Sequence, residues 1–296
     1  MSSNGERPSS LNWTEETING GSLPHVDLNN GSNGWASPPG NVFSVRSEQY
    51  LLKKIKCSAA VDYFLKPTGV DWFRSPSKLE HVLLRPDNRV MRALRFHHSN
   101  GNFLKSFVFA VNLQVPGREH HSAVFYFSTD EPILPGSLLD RFINGDDGFR
   151  NSRLKLVNRI VKGPWIVKKA VGNYSACLLG KALTCRYHRG PNYLEIDVDI
   201  SSSKIAGALV HLALGCVTSI TIDMGFVVEG QSVEELPEKL IGAVRICQLE
   251  MDSAEFIDSN TPSNGFGVGK SLGLAKVNHV DGEGSSSCDQ SPRVHF

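Results

Sequence analysis

Apolar positions in this chain are sparse at both ends and patterned only between them. Residues 1–38 and 256–296 are rich in Ser, Asn, Gly and Pro, with few apolar positions and no period. Such segments cannot bury enough surface to offset the entropy of ordering them, so both read as disordered arms around one domain at residues 39–255. Inside it, FLKSFVFAVNLQVP (103–116) and SAVFYFS (122–128) are β-branched and aromatic almost without interruption and are joined by PGREHH. That pattern predicts two central strands in a hairpin. From Arg153 the pattern changes to alternation. Leu154, Leu156 and Ile160 fall on one side and Arg153, Lys155 and Arg159 on the other, which predicts a half-buried strand that Val157 interrupts.

ALTCRYHRGPNYLEIDVDI (182–200) predicts a second hairpin about RGPN, with Leu194, Ile196, Val198 and Ile200 facing the core and Glu195, Asp197 and Asp199 opposite. Ser137 is placed to cap a short helix running to Ile143. In SVEELPEKLIGAV (232–244), Ser232 and Glu235 have the spacing of a capping box, which predicts one helical turn and a second short helix from Pro237. RICQLEM (245–251) closes the domain as a strand. The expected class is α+β: a mostly antiparallel sheet of about seven strands with packed helices, one domain with disordered termini.

Between Lys204 and Asp223, eighteen successive positions carry no charge. That is near the length of a membrane span. The stretch divides at about Cys216, however, into an Ala/Leu/Gly-rich part that Ser201–Ser203 can cap and the strand-like TSITIDMGFVV. Residues 205–217 as a helix reach only about 20 Å, against roughly 30 Å of bilayer hydrocarbon. A buried core helix is expected, and no transmembrane segment.

Composition adds little to this picture and charge adds more. With 40% hydrophobic and 21% charged residues, the chain has the make-up of a soluble domain. It opens without a secretory apolar stretch, and Ser2 stands where myristoylation needs glycine, so a cytoplasmic protein, peripheral at membranes, is expected. Six scattered cysteines read as reduced thiols. Yet between Asp147 and Glu195 there is no acidic residue and ten bases, so a chain of net charge +1 divides into a strip of +10 and a remainder of −9. Such polarity suits an anionic partner. Within the strip, KGPWIVKK sets Trp165 between Lys162 and Lys168/Lys169 after a Gly163-Pro164 turn. An indole at a lipid interface with ammonium groups on phosphates is one reading. A core tryptophan beside an edge strand solvated by lysines is another, and a different polyanion a third.

Sites of chemistry are less convincing. GFGVGKS (265–271) and GKSLG (269–273) imitate a phosphate loop and a nucleophile elbow, but neither follows a strand. Glu195, Asp197 and Asp199 suit a cation or acid/base work only if their face lines a cleft; otherwise they are the wet side of a strand. His97/His98 and His120/His121 lack metal-ligand spacing, and Cys185 and His188 fall on opposite faces of one arm. No catalytic residue, metal or cofactor is expected.

FSVRSEQYLLKKIK, GVDWFRS, FVFAVNLQVPG, FYFSTDE, GPWIVKKAVG, LLGKALTCRYHRGPNYLEIDVDI and EELPEKLIGAVRICQLEM, in this order, resemble the carboxy-terminal domain of the plant enhanced disease resistance 2 proteins, over about Trp35 to Ala254. In larger members that domain follows lipid-binding modules of the pleckstrin-homology and START types, neither recognisable here. The resemblance implies regulation of defence, senescence and cell death at membranes and assigns no residue a role. The combined expectation is a non-enzymatic module that binds an anionic phospholipid surface or an apolar ligand through Lys162, Trp165, Lys168 and Lys169, with Arg153, Lys155 and Arg159. An adaptor docking an acidic protein partner is the alternative, with Ser75, Thr261 and Ser291, each before proline, as phosphorylation sites. The near-zero net charge disfavours nucleic acid.

Overall fold

Strand alternation sorts side chains onto two faces, and the architecture follows from what covers each face. The computed structural model describes residues 13–99, 106–117, 119–172 and 174–258. Among them lie thirteen strands: β1 (Gly34–Ala36), β2 (Ser44–Arg46), β3 (Lys56–Ser58), β4 (Lys66–Ser75), β5 (Phe107–Val115), β6 (His120–Thr129), β7 (Leu154–Lys162), β8 (Tyr174–Leu178), β9 (Thr184–Gly190), β10 (Tyr193–Asp199), β11 (Thr221–Val228), β12 (Leu240–Cys247) and β13 (Glu255–Phe256). Eight α-helices accompany them: α1 (Trp13–Asn19), α2 (Tyr50–Lys53), α3 (Arg89–Ser99), α4 (Leu138–Asn144), α5 (Asp147–Asn151), α6 (Trp165–Val171), α7 (Leu179–Ala182) and α8 (Lys204–Leu214).

The strands form a five-stranded sheet in the order β1-β12-β11-β7-β8, a six-stranded sheet in the order β13-β4-β6-β5-β10-β9, and the β2–β3 hairpin. Only β10 with β5 and β13 with β4 pair in parallel. The class is α+β and mostly antiparallel, as read, but the strands exceed seven and divide into three sheets. Several of the extra strands span only two or three residues, too short to show a period. Ser232 and Glu235 do form a capping box over the single turn Val233–Glu235. The second helix read from Pro237 is instead β12, because LIGAV pairs with β11; tertiary pairing outweighs local preference here.

The two large sheets pack face to face. Phe125 and Phe127 of β6 meet Phe226 of β11 at ring-centroid distances of 5.8 and 5.7 Å, with Trp35, Trp72, Phe109 and Ile196 in the same core. On the outer face of the six-stranded sheet, α1, α3 and a strap at residues 76–88 lay Trp13, Val82, Leu83 and Leu94 over Val108, Ala110, Val124 and Tyr126. The outer face of the five-stranded sheet is closed by Phe43, Val45 and Ala59, which flank the β2–β3 hairpin or lie in it, over Val157, Val227 and Ala243. Residues 13–38, read as part of a disordered arm, therefore contribute Trp13, Leu23 and Trp35 to buried positions. Isolated large side chains at irregular spacing leave no periodic signal, although residues 13–38 belong to the folded body together with residues 39–255.

The inter-sheet contact is close enough to exclude one methyl group: a Cβ added at Gly242 of β12 collides with the Phe127 ring. Gly242→Ala is expected to destabilise the domain by about 1–3 kcal/mol through overpacking. Urea denaturation reads this directly, and wild-type stability in the variant would refute the contact.

Candidate functional site

The basic strip does not stay together in space. Arg153 donates to the Glu235 carboxylate at 2.6 Å and the Glu229 carbonyl at 2.9 Å. Lys155, 5% exposed, sits on Glu238 and 3.5 Å from Glu229. Arg159 shares Asp223 with Arg245. Arg150 donates to the Phe142 and Ile143 carbonyls, and Arg186 pairs with Glu80. Alternation along β7 is as read, but the polar side of that strand is roofed by the β2–β3 hairpin and by residues 229–238, which supply the carboxylates. Arg153, Lys155 and Arg159 thus belong to an internal charge network rather than to a docking surface.

Of the other five bases, Lys181 lies on α7 and Arg189 on β9, donating to Asn144, and Lys162, Lys168 and Lys169 lie at the end of β7 and on α6. β7 ends at Lys162, Gly163-Pro164 turns the chain, and Pro164, with φ −58° and ψ 147°, precedes the first turn of α6. Trp165 is 72% exposed and Ile166 47%, while Val167 is buried with Ile160 and Ile220. Lys162, Lys168 and Lys169 have no carboxylate within ion-pair distance among the described residues. The Lys169 ammonium lies 5.9 Å from the centre of the Trp165 ring.

The charge-free helix is not in the core. Ser203 caps α8 as read, accepting from the Ala206 amide at 3.4 Å, but none of its eleven residues is buried. Ala206, Val210 and Leu214 pack on the main core, and Leu212 and Ala213 join the cluster that holds Val167 and Val171 of α6. Its remaining side faces outward, with Ile205 76% exposed and Ala208 and Lys204 exposed beside it. With Lys204 and His211 as its only polar residues, both exposed, the helix gives little indication of how much of its apolar surface the protein covers. Reasoning from length alone compared only a span with a core helix, and so missed Ile205, Ile166 and Lys204.

The acidic row on β10 is not wet. Glu195 and Asp197 are 0% and 1% exposed because they anchor the strap. Glu195 accepts from the amides of Val82 at 2.6 Å and Leu83 at 2.8 Å. Asp197 accepts from the His81 amide at 3.0 Å and from Asn112 Nδ2 at 2.8 Å, and lies 2.8 Å from His188 Nε2. His81 stacks on His188 at 4.3 Å. Carboxylates and histidines do converge here, but the strap occupies the carboxylate oxygens. Burial, reinforced by the neighbouring Asp197 charge, holds the Glu195 carboxyl well above its ordinary value, against the two amides that favour its anion. Ser75 is buried, its hydroxyl donating to the Ser77 carbonyl at 2.5 Å, which removes it as a phosphorylation site; Thr261, Ser291 and the motifs at 265–273 lie outside the described residues.

The profile of the family described as Protein ENHANCED DISEASE RESISTANCE 2, C-terminal, matches residues 35–250, from β1 to just past β12. The chain belongs to that enhanced disease resistance 2 family. A relative described as Protein ENHANCED DISEASE RESISTANCE 2-like, from Arabidopsis thaliana, is 45% identical over 234 residues, which cover 79% of this chain and 31% of the relative. The chain thus spans less than a third of that relative's length. The family's matched span contains both large sheets except β13, together with α6, α8 and the strap, whereas α1 precedes it.

Two outcomes separate structural from surface charge. Lys155→Met removes the ammonium group from buried Glu238, which keeps Arg46 and the Gly230 amide, and is expected to cost about 1–3 kcal/mol, measured by denaturation, with vesicle binding of the folded fraction unchanged. For Glu195, a folded-state pKa above the unfolded one means that its contribution to stability is complete below about pH 4.5, the usual glutamate range, and is lost as pH rises through the raised value. Carboxyl 13C NMR should show Glu195 titrating above the ordinary glutamate range, and Asp197→Asn should bring that titration down; an ordinary Glu195 titration in the native chain would contradict the assignment.

Proposed function

We propose that this domain is a non-enzymatic module that docks on an anionic phospholipid surface through the α6/α8 end. The supporting observation is the coincidence of Trp165, Ile166 and Ile205, exposed on two helices that pack on each other, with Lys162 at the end of β7 and Lys168 and Lys169 on α6, none of them ion-paired among the described residues. An indole and two isoleucines enter the boundary between headgroups and acyl chains, while the ammonium groups reach phosphates. The magnitudes are sufficient. Four lysines, counting Lys204, contribute roughly 1 kcal/mol each near an anionic leaflet, which alone corresponds to a dissociation constant of only about 1 mM. Burying the three apolar side chains adds about 4 kcal/mol, and the total of about 8 kcal/mol corresponds to roughly 1 μM.

No helix among the described residues is long and apolar enough to cross a membrane, so the attachment in this reading is peripheral, at a cytoplasmic face. The family's name links it to disease resistance in plants, and a defence-regulating role exerted at a membrane is the setting in which such a module would act.

Flotation with phosphatidylcholine vesicles, with and without phosphatidylserine, tests the reading. Binding is expected only to the anionic vesicles, weakening as salt screens the lysines. Trp165→Ala and Ile205→Ala should each lower partitioning by about tenfold, the equivalent of about 1.4 kcal/mol. Equal flotation of the wild type and the Lys162→Glu/Lys168→Glu/Lys169→Glu variant would refute it.

A further inference from the structure

A sheet edge presents unpaired N–H and C=O groups to any extended chain that reaches it, and proteins blunt such edges with short strands, charges or proline. Three of the four edges of the large sheets are blunted in this way. β1 has three residues and is flanked by the His25 bridge to Trp35. β13 has two residues, and β9 carries Arg186, His188 and Arg189. The fourth edge, β8, has the five residues YSACL, with neither charge nor proline. Among the described residues it pairs only with β7, and Tyr174, Ala176 and Cys177 are exposed.

The space beside β8 has a defined chemistry. Tyr174, Ala176 and Leu178 stand opposite Arg159, Val157 and Lys155 of β7, the side roofed by the β2–β3 hairpin. Because Ala176 is small, a groove of about 280 Å³ opens there between β8 and the hairpin, lined by Phe43, Ser44, Lys56, Val157 and Tyr174 among others. A second hollow of about 220 Å³ shares Lys56 and Ala176 and adds Tyr50. Deeper in, Arg46 and Lys155 are matched by Glu229 and Glu238. Lys56 has no such partner among the described residues and is the cation available to a ligand.

We infer that the free edge of β8 accepts an extended acidic peptide segment of a partner protein, which adds to the five-stranded sheet as a further strand. The backbone of the segment would pair with β8. Alternate side chains would enter the groove, an apolar one against Phe43 and Val157 and an acidic one at Lys56. The strand requirement follows from the unpaired backbone groups, and the acidic preference from Lys56. The inference uses no residue of α6 or α8 and stands apart from lipid docking.

Synthetic peptides in which Glu alternates with Val or Thr are the probe, titrated into the full chain and followed by amide NMR and hydrogen exchange. The expected result is slowed exchange confined to β8 and its flanks, with at least tenfold weaker binding when Lys replaces Glu in the peptide. Ala176→Lys places a charge on an exposed position of the edge and should lower affinity at least tenfold without changing the melting temperature, although it adds charge of the sign that attracts the peptide. Lys56→Glu should reverse the charge preference. The inference is overturned if no alternating peptide binds, if binding leaves β8 amides unaffected, if Ala176→Lys binds as the wild type does, or if β8 becomes protected by self-association without peptide.

Discussion

A polar or charged group taken out of water must find a partner, and in this domain that requirement fixes the covers of both large sheets. Glu195 and Asp197 could not remain on the outer face of β10 without the strap amides, the Asn112 side chain and His188 that satisfy them. Lys155, Arg159 and Arg153 could not lie under the β2–β3 hairpin and residues 229–238 without Glu238, Glu229, Asp223 and Glu235. Such networks add little net stability compared with apolar packing, but they penalise any arrangement that separates the partners. Their effect is to specify which segment covers which sheet.

The same requirement explains why a strip of ten bases in sequence is not a strip in space. Local alternation placed Lys155 and Arg159 on the polar side of β7 correctly. Nothing local revealed that acids 64 to 83 residues further along, Asp223 and Glu238, return to meet them. The hairpins β5–β6 and β9–β10 and the Ser137 and Ser203 caps were legible because their signals lie within a few residues. β1, β13 and the buried Trp13 were not, since each depends on a partner distant in sequence. For KGPWIVKK the sequence left an exposed and a core Trp165 both open; the structure exposes it, and the choice depends on what α6 packs against, Ile220 and Leu212, which lie far along the chain.

α8 shows where pattern reasoning lacked a category. Apolar content and length exclude a span, and the usual complement of a span is a core helix. The third arrangement is a helix that the protein covers on one side and something else covers on the other. It differs from a core helix only in what lies beyond it, which no residue within the helix encodes.

That difference also bears on why the outward side of α8 carries Ile205 and Ala208 beside Lys204 and His211. A helix whose sole task is to close the end of a two-sheet core is normally amphipathic, because polar residues on its solvent side cost nothing and keep the surface soluble. α8 departs from this in part: Lys204 and His211 are exposed on it, but so are Ile205 and Ala208, where Lys or Glu would fit as easily, and α6 beside it exposes Trp165 and Ile166. Closing the core accounts for Ala206, Val210, Leu214 and Val167. It leaves the outward apolar residues unexplained, and the proposed docking on a surface that takes up both indole and ammonium groups would account for them together.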